Sequence, residues 1–311
     1  MNVSILSVRS GWHTDELLRA LSERGHVGVV VPYEAVVARV GGSQEPRLRT
    51  DGVPLFESDA VLARIIPSGS LEQIIYRVDA LHWLEERGIP VVNSPRAIER
   101  AVDKFYTSAL LHEAGLPTLD TVVCERAADA MAAVREFGDV VIKPIFGSMG
   151  HGIVRVSDPD VAFRVVKTLE TTRAVFYVQR AIDHGGRDYR LFVVGGRVLA
   201  AIERQAAEGD WRSNVARGAK ATACTPPAAW QQMAIRAAAA IEADYAGVDL
   251  LPGPDGRLYV LEVNGIPGWE GLQHATGVDV AGAIIEHVEA RVRSGAPSPR
   301  LRPAPAVTKP A

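Results

Sequence analysis

Short apolar runs rich in β-branched side chains alternate with helix-patterned stretches from the first residues of this chain onward. Val3–Val8 is such a run. Thr14-Asp15-Glu16 then offers a helix start with Leu17, Leu18 and Leu21 on one face, Gly25 ends it, and Val27–Val31 is the next strand. The pattern repeats with strand Asp59–Ile66, helix Leu71–Glu86 closed by Gly88, and strand Pro90–Asn93. A strand that is followed by a helix and then another strand buries its apolar faces by building a parallel sheet with helices against it. The prediction is an α/β fold that begins with a βαβ unit.

The pattern changes after Ser94-Pro95. Asp103 is a good N-cap for a helix over Lys104–Ala114, which Gly115 and Pro117 stop. Strands are predicted at Thr121–Cys124, Val140–Pro144, Ile153–Val156 and Phe176–Gln179, with helices at Asp129–Phe137 and Asp158–Leu169. Tyr189–Val194 and Arg197–Arg204 flank Gly195-Gly196 as a hairpin. A long helix over Pro226–Tyr245 carries Met233, Ala237, Ile241 and Tyr245 at helical spacing, and Val278–Val292 forms a closing amphipathic helix. The end, Ser294–Ala311, holds five prolines and almost no large apolar residue, the composition of a disordered tail. No internal repeat is visible.

The strands Gly247–Leu251 and Arg257–Asn264 bracket the turn Gly253-Pro254-Asp255-Gly256. Pairing Pro252 with Arg257 places Asp249 opposite Val260. Asp249, Val260, Glu262 and Asn264 then share one face, and Val248, Leu250, Tyr259, Leu261 and Val263 share the other. Two carboxylates and an amide on one face are hard oxygen donors of the kind that hold Mg²⁺ together with substrate phosphates. A solvated hairpin face explains the same residues taken alone.

Lys143 ends an apolar strand, and Pro144-Ile145-Phe146-Gly147-Ser148-Met149-Gly150-His151-Gly152 follows. Glycines let backbone N–H groups approach phosphate oxygens, and the lysine adds charge. The run is neither a Walker A loop nor a dinucleotide fingerprint, because it lacks Gly-Lys-Ser/Thr and leads into a strand. A plain glycine-rich hairpin accounts for it equally well. Lys104 just inside a helix start suits an anion, as do Arg212, Ser213, Asn214 and Arg217 in a polar loop, though solvated cations explain each singly. Arg190 and Arg204 lie on strands with apolar neighbours and invite partners. Trp12, His13, Arg64 and Tyr76 are candidates to line a pocket, and equally for simple packing or surface positions. Ser10, Ser148, Cys124 and Cys224 have no adjacent base to make them nucleophiles, and His112 and His287 read as packing or surface residues.

Composition narrows the class. At roughly 100–200 residues per domain, 311 residues suffice for two or three domains. No apolar run approaches the ~20 residues needed to span a bilayer, and the start lacks a secretory signature. Two widely spaced cysteines form neither a disulfide framework nor a zinc site. A reduced, cytoplasmic protein without a membrane partner is expected. With 34 basic against 37 acidic residues and a net charge of −3, no global field favours nucleic acid, while a local basic patch stays open.

The order of the motifs carries the most information. It runs Asp103-Lys104, Lys143 with its glycine loop, Val178-Gln179, Asp188-Tyr189-Arg190 and Ile202-Glu203-Arg204. It continues with Gly209 to Asn214, Gly247-Val248-Asp249 and Leu261 to Gly268. This order, over about residues 1 to 292, resembles the ATP-grasp superfamily and within it the RimK-type glutamate ligases. The stretch Asn264-Gly265-Ile266-Pro267-Gly268-Trp269 is similar to the branch associated with tetrahydromethanopterin and other one-carbon cofactors.

The resemblance implies a three-domain ATP-grasp fold. Residues 1–95 would form an acceptor-side pre-ATP-grasp domain, 96–181 the central small domain and 182–293 the C-terminal domain with the metal site, with 294–311 as the tail. It implies ATP bound at Lys104 and Lys143, under a loop including Ser148 and Gly150, along the hinge Gln179, Arg180, Ala181 and Ile182. Asp188, Arg190, Arg212, Ser213 and Asn214 would complete that site. Asp249, Glu262 and Asn264 would hold two Mg²⁺ ions, with Mn²⁺ an acceptable substitute. Arg180 stands where the family commonly has an acidic residue, which leaves the ribose contact open while the backbone contacts to adenine stay. The implied reaction activates an acceptor carboxylate as an acyl phosphate, which the amine of L-glutamate attacks. Lys143 would stabilise the phosphate, and Arg204 or Arg217 the developing oxyanion. The acceptor would be a small molecule or a peptide, and the enzyme a homo-oligomer. Two rivals stand beside this reading: an ATP-grasp kinase that stops at phosphorylation, and a nucleotide-binding regulatory module without catalysis.

Overall fold

The computed structural model describes residues 1–41, 47–147, 152–207 and 218–295. The chain divides into two compact units: Met1–Pro95 with the segment from Val288, and Arg96–His287. No helix among the described residues is long and apolar enough to cross a membrane.

The first unit contains β1 (Asn2–Ser7), α1 (Trp12–Glu23), β2 (Val27–Pro32), β3 (Val36–Arg39), β4 (Arg47–Thr50), β5 (Val53–Pro54), β6 (Ala60–Ala63), α2 (Leu71–Glu86) and β7 (Val91–Val92). The strands β2-β1-β6-β7 form the expected parallel sheet. Val61, Leu62 and Ala63 are fully buried, as a strand covered on both faces must be. The first helix starts at Trp12 rather than at Thr14. Thr14 sits at its third position, where its hydroxyl donates to the Gly11 carbonyl (2.7 Å) and accepts from the Gly11 N–H (2.8 Å). The second helix has the predicted bounds, because Ser70 and Gln73 close a reciprocal cap and Gly88 follows at φ 83. The antiparallel sheet β3-β4-β5 is not anticipated by the sequence pattern.

The second unit begins with α3 (Pro95–Val102) and α4 (Lys104–Glu113), the latter capped by Asp103, whose side chain accepts from the Tyr106 N–H (3.0 Å). Then come β8 (Thr121–Cys124), α5 (Ala127–Phe137), β9 (Val140–Lys143), β10 (Val154–Val156), α6 (Pro159–Thr171) and β11 (Phe176–Arg180). The antiparallel sheet β10-β9-β11-β8 packs one face on α5 and α6 through Val140, Ile142, Phe176 and Val178 against Ala130, Val134 and Val166. Burying each large side chain there contributes ~1.5–3 kcal/mol. Strand alternation turns Lys143, Tyr177 and Gln179 to the opposite face, with Tyr177 paired to Lys143.

The rest of this unit is β12 (Arg187–Val194), β13 (Arg197–Gln205), β14 (Lys220–Ala223), α7 (Ala228–Ala240), β15 (Tyr245–Pro252), β16 (Leu258–Asn264) and α8 (Glu270–Thr276). The last helix, α9 (Val280–Ser294), begins here and ends in the first unit. The sheet runs β14-β13-β12-β15-β16, and its core face packs Leu191, Val248, Leu250, Val260 and Val263 on Ala234 and Ala238 of α7.

Two expectations are corrected. The predicted helix to Tyr245 stops at Ala240, and Tyr245 opens β15 instead. The Glu242 N–H donates to Ala239 O (3.0 Å) and the Ala243 N–H to Ala238 O (3.0 Å) around Glu242 at φ 62. That is a Schellman stop with glutamate where glycine is usual. In the hairpin, Pro252 pairs with Leu258, not Arg257, and Asp249 with Glu262, not Val260. A bulge beside Asp249 adds one residue to β16, so Val260 faces the core while Tyr259 and Leu261 do not.

Candidate functional site

The face of the five-stranded sheet turned away from α7 gathers the predicted charges. Asp188 is opposite Arg204, Arg190 is opposite Asp249, and Asp249 is opposite Glu262. Arg204 donates from Nε and Nη2 to the two oxygens of Asp188, both at 2.6 Å. Its Nη2 also lies 2.9 Å from Asp249 Oδ2. Arg190 grips Asp249 through two hydrogen bonds of 2.7 Å. Asp188, Arg204 and Asp249 are each at most 4 % exposed. Burial pushes the Asp249 carboxyl up, but the two guanidinium charges and their hydrogen bonds outweigh it and leave the pKa below the ordinary value. Burial lowers the Arg204 pKa less than Asp249 and Asp188 raise it, so it stays a cation. The four groups balance two positive against two negative charges.

Glu262 and Asn264 lie at the edge of this face, both half-buried. Asn264 Nδ2 donates to the Gly247 carbonyl at 3.5 Å, which leaves its side-chain oxygen as a donor for a cation. The charge of Glu262 is felt at Lys104 and at Lys143, where it favours both ammonium forms. The hairpin thus brings its carboxylate within electrostatic reach of Lys104 on α4 and Lys143 on β9.

Lys143 Nζ donates to Gln179 Oε1 at 2.7 Å and stands 5.8 Å from the centre of the Tyr177 ring. Gln179 in turn donates to Thr121 Oγ1 (3.0 Å) and Tyr177 Oη (3.3 Å), and the Tyr177 hydroxyl meets Ser108 Oγ at 2.8 Å. Desolvation is the main reason that the Lys143 pKa falls to about 8, with Lys104 lowering it further and Glu262 opposing. Lys104 Nζ donates to the carbonyls of Ile145 (3.2 Å) and Gly147 (2.6 Å), at the start of the glycine run. Its pKa is also lowered, by burial first, against the raising charges of Glu262 and Asp103. Ser108, Thr121 and Tyr177 escape the sequence reading. The signal for Tyr177 is its place in Phe176-Tyr177-Val178-Gln179, where polar-tipped residues alternate with core residues.

The hinge residues are split. Gln179 points to the lysine face. Arg180 lies on the helix-covered side, with Nε on Asp120 Oδ2 (3.0 Å) and its guanidinium 4.7 Å from the Phe137 ring centre. Any contact from Arg180 toward the lysine face therefore comes from its main chain. The N–H groups of Arg180 and Ala181 donate to the carbonyls of Asp120 and Asp139, both at 2.9 Å, and Ile182 follows half-buried. Ser148, Gly150, Arg212, Ser213, Asn214 and Arg217 lie outside the described residues.

Among the described residues no group of three His, Cys, Asp or Glu side chains could hold a metal. The set at hand is two carboxylates and an amide. All three offer oxygen, which fits a hard divalent cation that takes further ligands from phosphates. Among the described residues no arginine pairs with Glu262, whereas Asp249 is already balanced by two.

Residues 101–288 match the RimK-like ATP-grasp domain, and residues 1–98 match the RimK pre-ATP-grasp domain. The chain is 33% identical over 308 residues to the tetrahydromethanopterin:alpha-L-glutamate ligase of Methanosarcina acetivorans, covering 89% of this chain and 95% of that one. It is 36% identical over 307 residues to a protein of Trichodesmium erythraeum named "Probable alpha-L-glutamate ligase", covering 97% and 100%. The ATP-grasp ligase PsnB, solved with its minimal precursor, superposes with a TM-score of 0.75 at 23% identity, over 93% of this chain and 98% of that one. A second complex of that ligase holds a phosphomimetic precursor variant, Mg and ADP (TM-score 0.72, 22% identity, 93% and 98% covered).

Proposed function

The chain belongs to the RimK-like ATP-grasp family and is an ATP-dependent carboxylate–amine ligase; from that premise we propose that it joins L-glutamate to a carboxylate acceptor. The acceptor carboxylate attacks the γ-phosphorus of ATP, the bond to the β-phosphate oxygen breaks, and ADP leaves. The glutamate amine then attacks the acyl phosphate carbon, loses a proton, and phosphate departs with the bonding pair. This chemistry needs charge stabilisation and alignment more than covalent help.

The observation that carries this reading is Lys143 held on Gln179 and Lys104 held on the carbonyls at the start of the glycine run, both within reach of the Glu262 charge. Two partly desolvated ammonium groups suit phosphate oxygens. Glu262, Asn264 and the remaining lone pairs of Asp249 would hold Mg²⁺, two ions in this reading, with Mn²⁺ as a substitute. When bound, the metal offsets phosphate charge. In this reading Lys143 aligns the phosphates, and Tyr177 and Gln179 fix its ammonium. Arg204 has Nη1 as its remaining donor for an oxyanion, because Nε and Nη2 serve the two aspartates. Relatives named for a pterin cofactor and a fold neighbour solved with a precursor peptide support an acceptor that is a small molecule or a peptide with a carboxylate. A homo-oligomer belongs to the same reading and is checked by light scattering.

The test is ADP and phosphate release with ATP, Mg²⁺, L-glutamate and a panel of acceptors, with mass spectrometry of the products. An acceptor that gains one glutamyl unit in a strictly ATP- and Mg²⁺-dependent way supports the proposal. An acceptor that gains only phosphate assigns the kinase reaction instead. Glu262→Ala is expected to abolish ADP release while the circular dichroism spectrum stays unchanged. Near-normal turnover in that variant would remove Glu262 from the metal site.

A further inference from the structure

The small sheet in the first unit carries charge that its own fold does not use. Its register sets Arg39 opposite Arg47 and Val37 opposite Arg49. Opposed residues share a face, so Arg39, Arg47 and Arg49 stand together, and all three are exposed. Leu48 and Thr50 turn to the other side and are at most 1 % exposed. Pro54, opposite Arg49, borders the cationic face. Among the described residues none of the three arginines makes an ion pair or a side-chain hydrogen bond. The three strands contain no carboxylate; the nearest in sequence are Asp51, in the turn that follows β4, and Glu45, which lies outside the described residues.

Directly opposed like charges destabilise a strand pair. The Arg39–Arg47 pair therefore costs stability that no described residue of the sheet returns. The contrast with other arginines is plain: Arg19, Arg24, Arg126 and Arg155 each meet a carboxylate within 3.0 Å. The chain as a whole is acidic, with net charge −3, so this face is a local positive field on a negative molecule.

We propose that the Arg39–Arg47–Arg49 face binds the acidic, glutamate-bearing tail of the acceptor or product. The inference rests on the glutamate-ligase reading. Each ligation consumes one acceptor carboxylate and delivers two, so every added residue increases the negative charge of the product by one. An extended peptide shows alternate side chains on one side at ~6.6–6.8 Å, twice the strand rise. Arg47 and Arg49, two apart on a strand, present guanidinium groups at the same pitch. Each fork takes a carboxylate through two parallel hydrogen bonds. Nucleic acid fits less well, because no aromatic side chain on these strands offers a stacking platform.

The test uses the full chain and a fluorescein-labelled tetra-α-L-glutamate peptide, without ATP, followed by fluorescence anisotropy at low and moderate salt. Wild type should bind, more weakly as salt rises. Arg47→Glu with Arg49→Glu should weaken binding about tenfold, as expected when two exposed arginine contacts become repulsive. Should that double variant fail to fold by circular dichroism, Arg47→Gln with Arg49→Gln replaces it, with a loss of about threefold expected. Wild-type affinity in the folded variant overturns the proposal, and so does a wild type that ignores the peptide. A single-stranded oligonucleotide of equal charge that binds more tightly, through the same arginines, assigns the face to nucleic acid and overturns it as well. The ligase reading is judged separately by product mass. A wild type that holds the peptide yet never adds glutamate refutes that reading and leaves the binding face standing.

Discussion

Lys143 is a cation held where water is scarce, and its proton is correspondingly loose. Its pKa falls from 10.5 to about 8, through burial first and then the Lys104 charge. In the free protein it is therefore largely neutral above about pH 8. If Lys143 meets the phosphates as proposed, their oxygens would restore the ammonium form, and nucleotide binding at about pH 9 should take up close to one proton. Calorimetry of ATP binding in buffers of different ionisation enthalpy measures that uptake. Lys143→Arg, always charged, should abolish it, and an equal uptake in both proteins would place the titrating group elsewhere. The sign for folding follows from the same shift. The unfolded chain holds this proton up to 10.5, so the Lys143 contribution to stability improves as pH rises from about 8 toward 10.5. Arg204 poses the opposite problem, since its charge is locked. Removing it takes the bidentate donor from buried Asp188 and one of two arginines from buried Asp249. Arg204→Met should cost about 3–5 kcal/mol in urea unfolding, and unchanged stability would mean that the aspartates find other compensation. Lost activity in that variant thus needs a stability measurement beside it. The residue types of this network were legible in the sequence, because charged arginines on apolar strands demand partners. Which aspartate each would meet was not, since the pairing depends on strand order.

Elements that end or bend without a glycine were the ones that sequence patterns misjudged. Helix α2 was read to the residue, with Gly88 marking its end. Helix α7 was not, because Glu242 occupies the left-handed position that glycine normally marks. The bulge in β16 was equally silent. An extra residue keeps the β-propensity of Tyr259-Val260-Leu261, and a period-two count passes through it one residue out of phase. The sheet β3-β4-β5 was missed because its strands are two to four residues long and place arginine at alternate positions. Glu242 gives this a measurable side. A non-glycine residue at φ 62 costs about 1 kcal/mol, yet the Glu242 carboxylate lies 2.9 Å from the buried Arg100 guanidinium. A charge-assisted contact of that kind contributes about 1.5–3 kcal/mol. The contact wins, so Glu242→Gly should destabilise by about 1 kcal/mol. In an Arg100→Ala background the contact is already gone, and Glu242→Gly should stabilise by about 1 kcal/mol. Denaturant unfolding of the four proteins reads both signs, and the same sign in both backgrounds would show that the ion pair contributes nothing.

At the scale of the molecule, the boundary between the two units, at Pro95 and Arg96, falls close to the boundary between the two matched family domains. The chain crosses it again at the end, where Glu289 of α9 accepts from Arg24 and His26 of the first unit at 2.8 Å. Every described residue here assigned to phosphate or metal, from Lys104 to Asn264, belongs to the second unit. The unpaired arginine face belongs to the first. Ligand effects should divide accordingly. A ligand that binds only the folded state adds about 2.7 kcal/mol at a hundredfold excess over its Kd. That stabilisation appears as slower amide exchange wherever opening disrupts the site. With ATP and Mg²⁺ at saturation, protection should rise in the strands that carry the site, β9, β11 and β16. The sheet β3-β4-β5 should not respond, since no nucleotide-assigned residue lies on it. Glu262→Ala should remove most of the gain in β16. Lys143, by contrast, still offers its ammonium to phosphate in that variant, so part of the gain in β9 and β11 should persist. Exchange that slows equally in β4 and β9, or nowhere at all, would show that the nucleotide does not sit between Lys143 and Glu262.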